Sequence, residues 1–211
     1  IWISPIAVIF NLDGVSSLNM DGATVSGIFA GEITNWNDAA IVAANPGVSL
    51  PDLAITAVHR SDESGTSKNF TDYLGAVAPD VWTVGAIEAW PAEYGGEGAQ
   101  GTSGVVSAVS GGNGTIGYAD ASRAGDLGTV AVKVGSDFVA YSAEAAAAVV
   151  DASPLVEGRE SFDLATKIDR TTTASGAYPI VLVSYLMGCN DYADDAQAEL
   201  VRAWASFLVS E

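Results

Sequence analysis

Two continuous apolar runs constrain this chain more than any other feature. One covers residues 6–10, Ile-Ala-Val-Ile-Phe, and the other residues 180–185, Ile-Val-Leu-Val-Ser-Tyr, within a longer strand-like stretch from Tyr178 to Met187. Neither alternates, so each suits a strand covered on both faces, the environment of a sheet between two helical layers. They bracket almost everything else, as would two segments crossing between one lobe and another. Between them, strand-like and helix-like stretches alternate, which argues for an α/β fold.

In order, Asn11-Leu12-Asp13-Gly14 supplies turn chemistry, and Asp21-Gly22-Ala23-Thr24 opens a short helix with Val25, Ile28 and Phe29 on one face, stopped by Gly31. Asn35 to Asp38 offer caps for a second short helix that Asn45-Pro46-Gly47 breaks. Residues 53–58 read as a strand, and Phe70, Tyr73, Leu74 and Val77 define a helix ended by Pro79. Residues 81–87 read as a short strand. Two G-x-G-x-x-G matches follow, Gly96 to Gly101 and Gly112 to Gly117. A dinucleotide fingerprint needs a strand before it and a helix after it. Trp90-Pro91 precedes the first and a strand-like run at 115–119 follows within the second, so both read as turns. Further strand and helix patterns occupy 127–134 and 143–150. Residues 151–177 are irregular, with helix potential at 162–168. A last helix carries Leu200, Val201, Trp204, Phe207 and Leu208 as its apolar stripe.

Composition narrows the function classes. Among 211 residues, 49% are hydrophobic and 16% charged, a globular balance with ample core material. The net charge is −18, with three Lys and five Arg, and no window forms a basic patch for nucleic acid or anionic lipid. Acidity does not bar an anion, because distant surface charge is screened over about 8 Å while a buried site depends on its own donors. Cys189 is the only cysteine, which excludes an intramolecular disulfide, and it follows an apolar run as a buried small hydrophobe would. No apolar run reaches membrane-span length, and the opening residues lack a basic n-region. Opening abruptly on a core strand, the chain is expected to have further sequence upstream of Ile1.

The chemistry concentrates at His59-Arg60-Ser61-Asp62-Glu63-Ser64-Gly65-Thr66, where a strand hands over to a helix. Free N–H groups at a helix N-terminus, two hydroxyls and a neighbouring guanidinium make an oxyanion site. The same residues also fit a capped helix with a surface Arg–Asp pair. On the residues alone both readings stand. His59, the only histidine, suits packing at a strand end, and Trp36, Trp82 and Trp90 suit packing too. Asn35 and Asn37 suit caps. With no second histidine and no acidic cluster at ligand spacing, neither a metal site nor a cofactor is expected.

Read together, the motifs resemble the phosphate-binding protein of bacterial high-affinity phosphate ABC transporters. The matching stretches run in order: Ser4-Pro5-Ile6 through Gly14-Val15, Ile28-Phe29-Ala30-Gly31 through Trp36-Asn37-Asp38, Asn45-Pro46-Gly47, Arg60 to Thr66 with Phe70 to Leu74, Trp90-Pro91 with the glycines to Gly101, Thr115-Ile116-Gly117-Tyr118, and Tyr178-Pro179-Ile180. The resemblance implies a two-lobed periplasmic-binding-protein-like fold of class II, here lacking the N-terminal part of the first lobe. It implies crossing strands within 1–11 and after 179, a second lobe over 12–178, and a return of 179–211 to the first lobe. It also implies non-catalytic, extracytoplasmic binding of inorganic phosphate by a monomer, delivered to a membrane permease, in the periplasm or at the cell surface. Relatives at the surface carry a lipidated N-terminal Cys that this stretch lacks.

By resemblance the phosphate-binding residues are Arg60, Ser64, Gly65 and Thr66, with Asp62 holding the Arg60 fork. Glu63 stands where many relatives have Gly, and is expected to point outward. The family's acceptor Asp, which favours phosphate over sulfate, belongs to the opening segment. Receptors for sulfate or molybdate, and a phosphatase using Ser64 as nucleophile, are the competing readings.

Overall fold

The computed structural model describes residues 1–189 and 191–210. The first apolar run lies in β1, Trp2–Asn11, where Ile6, Ala7, Val8, Ile9 and Phe10 are all buried. Seven further strands join it: β2 Ser17–Met20, β3 Thr56–Arg60, β4 Glu97–Ala99, β5 Thr115–Asp120, β6 Gly128–Val134, β7 Asp137–Val139 and β8 Val181–Ser184. The sheet runs β2-β6-β1-β5-β3-β4, with β7 on β6 and β8 on β1. β1 lies antiparallel to β5 and β6, whereas β3 runs parallel to β5 and β4.

Register explains why β1 cannot alternate. Ala7 faces Ala119 across the ladder and Val8 faces Tyr118, so each pair shares one face of the sheet. On one face Ala7, Ile9, Val58 and Ala119 pack with Val105 and Val109 of α4, Gly101–Gly111. On the other, Tyr118 stacks on Phe70 of α3, Gly65–Val77, and meets Phe29 of α1, Gly22–Phe29, edge-on. Both faces are covered, so both need apolar side chains.

Among the described residues the remaining α-helices are α2 Ala39–Ala44, α5 Ala143–Asp151 and α6 Asp195–Val209. Caps follow the polar punctuation: Asp21 accepts from Thr24 N–H, and Asp38 caps α2. Asn35 shapes the turn before α2 instead, its Oδ1 accepting from Asn37 and Leu53 N–H.

Some expectations give way. Residues 81–87 form turns rather than a strand, because Trp82 is buried against Trp90 and Tyr94 and its indole N–H donates to Gly85 O at 2.9 Å. The first glycine motif is more than a turn: β4 lies inside it and α4 starts at its last glycine. Its strand therefore falls within the motif, not before it. Gly96 has φ +91°, and a Cβ there would lie 2.8 Å from Ala57 O, so only glycine serves. Residues 162–168 form no helix; Asp163 accepts from Arg159 and from Ala165 N–H, and Leu155 bridges Thr166. Cys189 is exposed, because regular strand ends at Ser184 and the apolar run continues outside it.

The chain divides into two compact units. The larger is Ile3–Leu182; the smaller comprises Ile1–Trp2 and the chain from Val183 onward. In the smaller unit α6 carries the expected apolar stripe, yet it buries no residue, and Leu200, Trp204 and Phe207 are more than half exposed among the described residues. No described helix is long and apolar enough to cross a membrane.

Candidate functional site

β3 extends two residues beyond its predicted end and delivers Arg60 at its last position. After Ser61, Asp62 and Glu63 the chain turns into α3, whose N-cap is Ser64 in extended conformation, φ −150° and ψ 130°. Ser64 is buried, and its Oγ accepts from Thr66 N–H at 3.1 Å and Ser67 N–H at 3.3 Å. With two N–H groups on its lone pairs, the hydroxyl proton remains free to donate. Gly65 and Thr66 form the first turn of a 13-residue helix, where the macrodipole favours an anion.

Asp62 holds Arg60 in a fork. Arg60 Nε donates to Oδ1 at 2.7 Å and Nη2 donates to Oδ2. Oδ1 also accepts from Gly101 N–H at 2.9 Å, tying the fork to the start of α4. The Arg60 fork first, and the Gly101 N–H second, hold the Asp62 carboxyl well below the usual carboxylate range. Asp62 in turn raises the guanidinium further, so Arg60 is a permanent cation. Glu63 is exposed.

Tyr118 is the residue that sequence reasoning left without a role. Its phenol oxygen accepts from Arg60 N–H at 3.3 Å and lies 2.7 Å from Ser67 Oγ, joining the end of β3 to the first turn of α3. Burial pushes its pKa up, against a smaller opposing pull from the Ser67 hydrogen bond. Its place in an apolar strand is one any core tyrosine would share, and the matching stretch Thr115 to Tyr118 assigns it no contact.

His59 packs as expected. Its ring stacks on Trp90 with centroids 4.7 Å apart and planes 9° from parallel, and Nδ1 lies 2.9 Å from Arg60 O. Both rings, with Arg60 and Glu63, line an open cavity of about 410 Å³. Trp36 is a core residue whose indole N–H donates to Gly114 O at 3.0 Å. Among the described residues, no group of three or more His, Cys, Asp or Glu side chains could hold a metal ion.

At one strand end of a mixed sheet covered by helices on both faces, a guanidinium and a capped helix start converge. The profile of the PBP superfamily domain matches residues 1–211, and the chain belongs to that family. Among curated relatives, phosphate-binding protein PstS 2 of Mycobacterium tuberculosis is 36% identical over 204 residues, covering 95% of this chain and 55% of its own length. Phosphate-binding protein PstS 3 of Mycobacterium leprae is 36% identical over 210 residues, covering 98% and 56%. The chain thus spans about half the length of the curated relatives it matches. A solved high-affinity periplasmic phosphate-binding protein with bound phosphate aligns over 97% of this chain and 60% of its own, with TM-score 0.66 and 22% identity. The phosphate-binding protein of Stenotrophomonas maltophilia aligns over 85% and 51%, with TM-score 0.54 and 20% identity. At these identities the structural matches speak for the fold.

Proposed function

We propose that this chain forms one wall of a phosphate receptor, a non-catalytic extracytoplasmic protein that hands inorganic phosphate to a membrane ABC transporter permease. The observation that carries the reading is the junction itself: a guanidinium locked by its own carboxylate, next to a helix start whose cap hydroxyl keeps a free proton. Arg60 would supply charge-assisted bonds, Ser64 and Thr66 hydroxyl donors, and Gly65 a backbone N–H; the Thr66 N–H, expected as a further donor, is engaged by Ser64 Oγ. The names of the curated relatives, spread across most of this sequence, support the same ligand. Residues 1–11 and 179–211 would belong to the crossing and the other lobe, and 12–178 to the lobe that carries this wall.

Asp62 does not choose between phosphate and sulfate. Arg60 and Gly101 N–H engage its two oxygens, and its depressed pKa keeps it ionised. An acceptor for a phosphate proton has to come from elsewhere. The phosphatase reading would need a base on Ser64. Its Oγ instead accepts two backbone N–H groups, while the His59 ring is held by Trp90. Calorimetry of the gene's full product with phosphate, sulfate and molybdate tests the proposal. Phosphate binding at least tenfold tighter than the others supports it. Absence of phosphate heat overturns it, and turnover of an aryl phosphate lost in Ser64→Ala would assign the enzyme reading instead.

A further inference from the structure

A second arginine lies behind the site. Arg170 sits in the irregular stretch before β8 and is 6% exposed. Its guanidinium makes four hydrogen bonds to two different elements. Nη1 donates to Pro179 O at 2.7 Å and Val181 O at 2.9 Å, on the chain entering β8. Nε donates to Asp72 Oδ2 at 2.9 Å and Nη2 to Asn69 Oδ1 at 2.6 Å, both on α3. Asn69 passes the tie one turn back, its Nδ2 donating to Gly65 O at 2.9 Å.

Gly65 O belongs to the rigid peptide plane whose other side is Thr66 N–H. Ser64 Oγ pins that plane from the N–H side. Asn69 pins it from the carbonyl side. Packing repeats the connection, since a Cβ built on Gly65 would lie 3.6 Å from Leu182 Cδ1 of β8. The α3 start therefore leans on β8, and one buried fork spans both.

We infer that Arg170, acting through Asn69, is a positioning residue for the oxyanion site. It sets the orientation of the Gly65–Thr66 peptide by fastening α3 to the chain at β8. Burial lowers the pKa of the guanidinium and the Asp72 carboxylate opposes that shift, while the carbonyls of Pro179 and Val181 accept its remaining buried N–H groups. Lysine keeps the charge but lacks the planar fork that reaches two elements at once. The inference rests on the proposed phosphate site, yet its test has a ligand-independent arm.

Native-state amide exchange by NMR would be followed at Thr66, Ser67 and Lys68 in the wild type, Arg170→Lys and Asn69→Ala, without ligand. Val105 and Val109 of α4 serve as remote controls. The half-buried Asn69 provides a variant that keeps the buried guanidinium and three of its four bonds in place. Exchange at the α3 start should rise about tenfold in both variants, with the α4 amides unchanged. In the gene's full product, phosphate affinity should fall about tenfold alongside. Unchanged exchange at the α3 start, or equal acceleration in both helices, overturns the positioning role. If wild-type protein fails to bind phosphate, the ligand assignment fails while the exchange result still decides the role of Arg170.

Discussion

Replacing Ser64 separates two jobs that one oxygen performs. As N-cap it accepts from Thr66 and Ser67 N–H at 3.1 and 3.3 Å, in a buried position. Alanine removes that acceptor and costs about 1 kcal/mol, within a range of about 0.5–2, whereas glycine at an N-cap costs only a few tenths. For a chain of 211 residues, 1 kcal/mol corresponds to a Tm decrease of about 2–4 °C. As ligand donor, the same hydroxyl would make a charge-assisted bond worth about 1.5–3 kcal/mol, or about 10- to 140-fold in Kd. Glycine therefore keeps most of the stability and loses the ligand bond; threonine should keep both. Thermal unfolding of Ser64→Ala, Ser64→Gly and Ser64→Thr, paired with phosphate calorimetry on the gene's full product, reads both quantities. Ser64→Gly with affinity within about twofold of wild type would refute the hydroxyl as a ligand donor. Ser64→Ala with an unchanged Tm would refute the capping geometry.

Other expectations follow from the same geometry. Arg60→Ala should weaken phosphate at least tenfold by calorimetry, and Arg60→Lys should recover only part of that loss because the Asp62 fork is bidentate. Asp62 has a folded pKa below its unfolded value near 3.9, so its stabilising contribution is present above that value and lost as pH falls below it. Urea midpoints of wild type and Asp62→Asn should accordingly differ at pH 6 and converge as pH falls below about 4; a pH-independent difference would contradict this. Gly128→Ala places a Cβ 2.5 Å from the buried Phe10 ring and should cost about 1–3 kcal/mol in urea unfolding.

What the sequence made legible depended on whether the signal was local. The run at 6–10 gave a doubly covered strand because burial on both faces abolishes alternation, and Asp21, Asp38 and Ser64 announced their helices because capping is a contact within three residues. α4 was hidden: Gly101, Gly104 and Gly111 lower its intrinsic helicity, and Val105 and Val109 packed on the sheet supply what propensity lacks. β2 and β7 are short strands defined by pairing with β6, which no local pattern encodes. The site divides the same way. Arg60, Asp62, Ser64, Gly65 and Thr66 lie within seven consecutive residues and could be named as a group. Tyr118 and Arg170 reach it through contacts 51 to 101 residues away in sequence, and their types alone say nothing about that.

Phosphate seated on the Arg60 fork and the start of α3 would perturb the groups it touches. Titrating isotope-labelled 211-residue chain with inorganic phosphate tests it most directly, by following the amides of Gly65, Thr66 and Ser67 and the Nε–H of Arg60. Weak, saturable shifts should be confined to these groups and their immediate neighbours and be abolished by Arg60→Ala. Shifts clustered elsewhere, or none at these positions up to phosphate concentrations that perturb the surface generally, would contradict it.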